Sequence, residues 1–293
     1  MVCLAAVLTA CTATKSPTIE TPEVVTETVI TLPEETQEPE NKKETKEELP
    51  TEVVGEEIIN TPTEESQTMN DNVDIGNYTD AAFHKPFNDL LTTHVTNDGR
   101  VSYTGFKQHW GTLRAYIATL GEHLPTASWT TEDKLAYWMN AYNAMTIDLI
   151  LRHQPLESIK DIKNPWDQRF WKLGDKYYNL DEIEHKILRK MDEPRIHFGI
   201  NCASFSCPPL LNEAFVADNV NDQLDTVARK FINDSTRNTI TPERLEISEI
   251  FNWFSKDFKK NGSLIDYINL YSDTQVVPNA KVRFKDYDWS LNN

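Results

Sequence analysis

Apolar positions change their spacing several times along the chain, and each spacing names an element. Phe83, Phe87, Leu90 and Leu91 fall three and four apart, which predicts a helix over 79–95. Asn97-Asp98-Gly99 then reads as a turn, because these residues tolerate the backbone a tight reversal needs. A second helix is predicted from 103 or 104 to 120. The strongest pattern runs over 132–152, where Leu135, Trp138, Met139, Tyr142, Met145, Leu149 and Ile150 share one face. Thr130 can cap this helix, Asp133 completes an approximate capping box, and Pro155 follows its end.

Beyond it, residues 171–180 alternate around Gly174-Asp175 and predict a hairpin. Asp181 opens a short helix to 191, with Glu184 at the capping-box position. Residues 195–201 read as a strand, which would put His197, Gly199 and Asn201 on one face. Pro208-Pro209 stiffens a loop over 202–211. Helices are expected near 218–233, 248–260 and 263–271, with strands at 238–247 and 281–287. Short strands mixed unevenly with helices argue for an α+β, helix-rich domain around a small antiparallel sheet.

Charge divides the chain of 293 residues, whose formal net charge is −17. Residues 12–76 hold 17 acids against 4 bases and no aromatic side chain. That stretch, rich in Thr, Glu and Pro, cannot bury enough apolar surface to offset its ordering entropy, so it is expected to be a solvated, extended tether. Residues 77–293 hold every aromatic residue, with 29 acids against 25 bases, and form the globular domain. No basic patch has the density nucleic acid needs. No apolar run is long enough for a membrane span. No G-x-G, H-E-x-x-H or G-x-S-x-G motif occurs, and paired C-x-x-C spacing is absent.

Residues 1–11 are small and apolar and end in Leu8-Thr9-Ala10-Cys11, which resembles a bacterial lipobox. Cys11 would be lipidated and tie the protein to a membrane. Thr12 stands where an inner-membrane retention signal would place Asp, so the expected address is the cell envelope, as an outer-membrane lipoprotein facing the periplasm or the outside. No Lys or Arg precedes the apolar stretch, which leaves room for a basic region upstream. Export puts the domain's two cysteines, Cys202 and Cys207, in an oxidising compartment.

Glu184-His185, His197 and Cys202 through Cys207 make the densest reactive stretch, and three readings stay open. Cys202 is a thiolate nucleophile, with His185 or His197 as base and a carboxylate such as Glu184 to orient it. Alternatively Cys202 and Cys207 form a structural disulfide. In the third reading His185, His197, Cys202 and Cys207 hold a metal, although the spacing follows no standard zinc pattern. Asn140 and Asn143 sit three apart on one helix face and either bond a neighbouring loop or line a pocket. Asp288 and Trp289 could orient a catalytic group or serve structure.

Several blocks in order resemble the family named domain of unknown function 547: LAYWMNAYNA over 135–144, LDEIEH over 180–185 with ILR over 187–189, PRIHF over 194–198, CASFSCPPL over 202–210 and YDWSLN over 287–292. The resemblance spans nearly all of 85–292. It implies an exported or lipid-anchored protein with the core of papain- and transglutaminase-like cysteine hydrolases and a Cys-His-acid site. In the family pattern the cysteine matching Cys202 is the more regular, the position of Cys207 is serine in some members, and a glycine usually stands at Ala203. The resulting expectation is a cysteine hydrolase or transferase acting on amide bonds of peptides or cell-wall peptides. Cys202 attacks, backbone N–H groups around 202–204 with Asn140 meet the oxyanion, and Asn143, Asn201, Cys207 and Trp289 line the pocket. Neither cofactor nor metal is called for. The rival expectation is a non-enzymatic binding module that keeps the cleft, uses Trp166, Phe170, Trp171 and Tyr178 as contacts, and has the two cysteines in a structural role.

Overall fold

The computed structural model describes residues 81–293. Cys11, the acidic stretch 12–76 and positions 77–80 lie outside the described residues. The first helix is α1 (Ala81–His94). The single helix expected from 103 to 120 is two, α2 (Tyr103–Gln108) and α3 (Trp110–Glu122), broken at His109, whose φ of −112° and ψ of 22° leave the helical region. The helix α4 (Thr131–His153) follows. Its capping box is complete: Thr130 Oγ1 accepts from the Asp133 N–H at 3.1 Å, and Asp133 accepts from the Thr130 N–H at 2.8 Å. Every residue of α4 from 135 to 151 is buried, so it is covered on all sides, with Asn140, Asn143, Thr146 and Asp148 as buried polar positions, and forms the axis of the domain.

β1 (Trp171–Leu173) and β2 (Lys176–Tyr178) pair antiparallel as expected, with Gly174 at φ 59° in the turn. The segment after them departs from the sequence reading. Residues Glu182–Ile187 wind as a wide π-helical turn and continue as a tight 3₁₀ turn, Leu188–Met191. Glu184 does not cap this helix; the Glu182 N–H is met by Asn179 Oδ1 at 2.8 Å instead. The strand expected over 195–201 is also overturned. Residues Ile196–Gly199 form a helical turn, α5, with the Ile200 N–H bonded to the Ile196 carbonyl at 2.9 Å. Ile196 and Ile200 are both buried, four apart, a helical spacing hidden inside a short apolar run. His197, Gly199 and Asn201 therefore do not share a strand face.

α6 (Val220–Ile232) leads to β3 (Thr239–Thr241) and β4 (Arg244–Ser248), an antiparallel pair. Short helices α7 (Ile250–Trp253), α8 (Ser255–Phe258) and α9 (Leu264–Asn269) carry the chain across to β5 (Lys281–Lys285). That crossover makes β5 run parallel to β4, from Arg244↔Lys281 to Ser248↔Lys285. The larger sheet is therefore mixed, not purely antiparallel, and the fold is α+β with two small sheets.

The core is two apolar clusters, one around α4 and one joining α6, β4, α7, α8 and α9. α5 spans both, since Ile196 belongs to the first and Phe198 to the second. The C-terminal tail is stitched over the 202–207 loop. Phe205 N–H donates to the Ser290 carbonyl at 2.7 Å, and Asn292 N–H donates to the Ala203 carbonyl at 3.2 Å. No helix among the described residues is long and apolar enough to cross a membrane.

Candidate functional site

A cavity of about 390 Å³ opens at the seam of the two clusters. Of the residues singled out in the sequence, Glu184, His185, His197, Cys202, Cys207, Trp166 and Trp289 line it. Asn140, Asn143 and Asn201 do not. Their amides are spent on backbone. Asn140 brackets Phe215, donating to its carbonyl at 2.8 Å and accepting from its N–H at 3.0 Å. Asn143 donates to the Gly199 carbonyl at 3.0 Å and accepts from the Asn201 N–H at 2.9 Å. Asn201 donates to the Pro208 carbonyl at 2.8 Å and accepts from the Ala203 N–H at 2.8 Å. Asn143 and Asn201 thus position the loop that carries Cys202, while Asn140 holds the backbone at Phe215. Of the other aromatic candidates, Trp171 is buried with its indole N–H on Asp148 at 2.7 Å, Tyr178 packs on Trp138, and Phe170 packs on His153 and Trp171.

The loop turns sharply at Ala203, whose φ of 61° is the left-handed region a side chain enters at a cost of about 1–2 kcal/mol. A glycine would enter it freely. The turn leaves Cys202 half-buried on the cavity wall, and both cysteines are free thiols in the structure. Cys202 Sγ lies 3.1 Å from Ser204 Oγ and 3.5 Å from the Tyr287 hydroxyl, which is itself 2.8 Å from Ser204 Oγ. The Cys202 N–H donates to Cys207 Sγ at 3.1 Å. The Cys202 thiol is held below its ordinary pKa. The Cys207 thiol bond contributes most, against opposing burial, and the Ser204 and Tyr287 hydroxyls and the Ser204 amide add to it. Burial and the neighbouring sulfur push Cys207 the other way. The pair shares its protons unequally, with the anion on Cys202.

Two of the backbone donors expected for an oxyanion are already engaged: the Cys202 N–H goes to Cys207 and the Ala203 N–H to Asn201. Tyr287, 85 positions away in sequence, supplies the hydroxyl that reaches this region. Burial, then the charges of Cys202 and Cys207, raise its pKa well above the ordinary value, so it stays a donor.

The histidines form one network through Arg189 and Asp257. His197 Nε2 lies 2.8 Å from Asp257 Oδ2. Arg189 donates to both oxygens of Asp257, at 2.7 and 3.0 Å, and to His185 Nδ1 at 3.0 Å. The His197 bond, with Arg189, holds the Asp257 carboxyl far below its usual range against burial. Asp257 can only accept, so His197 carries its proton on Nε2. Its Nδ1 is then a lone pair, and that atom is buried without a partner. Arg189 can only donate, so His185 Nδ1 is the acceptor and its proton sits on Nε2, 3.6 Å from Asp181 Oδ1. Burial first lowers the pKa of both rings, leaving them neutral near pH 7. Phe254 stacks on His197 at 3.9 Å and 19°. Among the described residues no hydrogen bond joins Cys202 to either histidine.

Glu184 is almost fully buried, and burial pushes its pKa up to about 7, with the Tyr142 hydroxyl, 3.1 Å from Oε2, acting against it and the Cys202 charge adding to it. It bonds neither histidine and so does not orient them. Ser204, Asp257 and Tyr287 went unnoticed in the sequence. Ser204 could have been found as the second residue after the candidate cysteine, and Tyr287 as the start of the YDWSLN block. Asp257 carries no local signal, since no motif marks this acid within the aromatic and basic stretch over 250–260.

His185, His197, Cys202 and Cys207 do not converge as a metal would require; among the described residues no group of three or more His, Cys, Asp or Glu side chains could hold an ion. No curated protein and no solved structure matches the chain significantly. A family model described as "Protein of unknown function, DUF547" matches residues 126–232, which run from before α4 to the end of α6 and include Glu184, His185, His197, Cys202 and Cys207, so this segment is similar to that family.

Proposed function

We propose that the domain is a thiol hydrolase or acyltransferase acting on amide bonds, with Cys202 as nucleophile. The observation that carries the reading is the setting of the Cys202 sulfur. It stands on a cavity wall immediately before the strained turn at Ala203, with the Ser204 and Tyr287 hydroxyls in hydrogen-bonding reach. His197, fixed by Asp257, presents the open lone pair and is the base of choice over His185, whose Nδ1 is taken by Arg189. In the proposed step the thiol proton passes to His197 Nδ1 across the cavity through a water. Sulfur bonds to the amide carbon, and the carbonyl electron pair moves onto oxygen, where Tyr287 donates. Collapse breaks the C–N bond, and the amine leaves with the proton from His197. Water, or a second amine, then bonds to the thioester carbon and gives a proton to His197, and the C–S bond breaks to release the acid or the new amide, with the proton returning to the Cys202 sulfur. A papain- or transglutaminase-like plan agrees with a thiol, an Asp-bound histidine and a helix-rich domain. A peptide or cell-wall peptide substrate agrees with an envelope lipoprotein anchored at Cys11. Release of a Cys11→Ser variant to the soluble fraction would support the anchor, and unchanged membrane association would refute it.

The test is iodoacetamide labelling of the full chain without reductant, across pH 4–9, with mass mapping. Rapid modification of Cys202 with a midpoint below the free thiol's ~8.5 supports the reading. Labelling only after reduction would mean a Cys202–Cys207 disulfide and overturn it. The second reading, a binding module, is favoured by the aromatic wall of Trp166, Trp253, Tyr287 and Trp289. Under it, Cys202→Ser keeps full ligand binding and no turnover exists to lose.

A further inference from the structure

The geometry points to a substrate that carries a primary ammonium group, seated between aromatic rings and carboxylates of the cavity. This deepens the amide-cleaving reading and rests on it for the reacting bond.

The charged groups of the wall are all of one sign. Asp167, Asp181 and Glu184 line the cavity, and no Lys or Arg does. Arg189 is spent on Asp257 and His185. The imidazoles add no charge near neutral pH, and the thiol next to them tends towards the anion. Low-dielectric walls focus such a field and draw in a cation.

The rings supply the second half of a cation site. Trp253 and Trp289 stack at 5.7 Å and 22°, Trp166 meets Trp289 edge-on at 5.9 Å, and Tyr287 leans on Trp289 at 4.5 Å. Faces set at angles around one space attract a cation from several sides. The Trp289 ring already holds one, the Lys160 ammonium at 4.8 Å, from a residue outside the lining.

A third observation is independent of both. His197 Nδ1 is buried and has no hydrogen-bond partner. A lone pair left open in a buried wall is met by a ligand N–H and repelled by a carboxylate. One open buried acceptor, aromatic faces and carboxylates with no Lys or Arg in the lining all select the same chemistry. About 390 Å³ suits a residue or two of a peptide. The ammonium is therefore the amine of a Lys-like side chain or of a peptide N-terminus.

The experiment uses the full chain and defined probes. Nα-acetyl-lysine methylamide carries a side-chain ammonium and alanine methylamide an N-terminal one. The Nε-acetylated lysine derivative and Nα-acetyl-glutamate methylamide are the neutral and acidic counterparts. Each is tested for protection of Cys202 from iodoacetamide, and for a change in tryptophan fluorescence of Cys202→Ser. One ammonium probe should act at about tenfold lower concentration than the neutral and acidic ones, weakening with added salt. Which ammonium probe wins identifies the source. Asp181→Asn should erase most of the preference and Asp181→Glu restore it. Equal action by all probes overturns the ammonium inference while leaving a reactive Cys202 in place. An unreactive Cys202 overturns the hydrolase reading, and the fluorescence arm still decides the ammonium.

Discussion

Tyr287→Phe isolates one hydroxyl in the proposed site. The substitution keeps the ring that packs on Trp253 at 4.7 Å and Trp289 at 4.5 Å, so the cavity wall is preserved. What is lost is the O–H, 2.8 Å from Ser204 Oγ and 3.5 Å from the Cys202 sulfur. Ser204 has one proton and two partners. With the sulfur anionic, its proton turns to Cys202, and the Tyr287 proton turns to Ser204. The phenol therefore supports the anion mostly through the serine. A hydrogen bond to a charged group contributes about 1.5–3 kcal/mol, and a relayed one belongs at the lower end. At 1.36 kcal/mol per pKa unit, the loss should raise the Cys202 midpoint by about one unit. Ser204→Ala should raise it at least as far. The double variant should fall short of the sum, because the tyrosine acts through the serine. The assay is the rate of iodoacetamide labelling at Cys202 against pH, with circular dichroism to establish that each variant is folded. An unchanged midpoint in a folded Tyr287→Phe variant would refute the relay. A strictly additive double variant would show that the two hydroxyls act separately.

Cys207→Ala should raise the Cys202 midpoint more than Tyr287→Phe does, since the Cys207 bond is the largest stabiliser of the anion; the same labelling curve checks the order. Asn143→Ala leaves the buried Gly199 carbonyl and Asn201 N–H without partners. At ~1–3 kcal/mol each, the variant should lose about 3 kcal/mol in urea unfolding, and a loss under ~1 would sink the positioning role. Asp257→Asn should slow any turnover and change the acid limb of stability. The depressed carboxyl stabilises the fold above the unfolded value of ~3.9, and that contribution is lost as pH falls towards the folded value. The gap between wild type and Asp257→Asn should thus be widest above about pH 4 and close on acidification; a gap constant down to pH 2 would contradict the linkage.

The parts of the fold legible in the sequence are those with long or doubled signals. α4 announces itself through seven apolar positions and a capping box, and the β1–β2 hairpin through alternation around Gly174-Asp175. Short apolar runs were not legible. PRIHFGI reads equally as strand or helix, and burial of Ile196 together with Ile200 decided for a helical turn. β5 reads as a strand, but its parallel pairing depends on three short helices between it and β4. The reactive side chains were visible as residue types close in sequence, and Glu184, His185, His197, Cys202 and Cys207 do meet at one cavity. The asparagines were visible too, but a helical asparagine gives no hint whether its amide faces a ligand or a loop. What the sequence could not carry was pairing at a distance. Asp257 is 60 positions from His197 and Tyr287 is 85 from Cys202, and each arrives on an element whose own pattern says nothing of the site.

The distinction between the two histidines follows from donor and acceptor chemistry, not from proximity. A guanidinium has protons and no lone pair; a carboxylate has lone pairs and no proton. Arg189 sits between Asp257 and His185, so its protons consume the lone pair of His185 Nδ1 while Asp257 consumes the proton of His197 Nε2. One ring is thereby fixed as a donor and the other as an acceptor, with no change in either residue type. Phe254 stacked on His197 blocks one face of that ring and keeps the Asp257 bond partly out of water, where it fixes the tautomer more firmly. The same logic explains why Glu184 need not act on a histidine at all. With a pKa pushed up to about 7, mainly by burial and in part by the Cys202 charge, its ionisation opposes that of the sulfur. A protonated Glu184 beside a Cys202 anion is the state in which the two groups avoid like-charge repulsion.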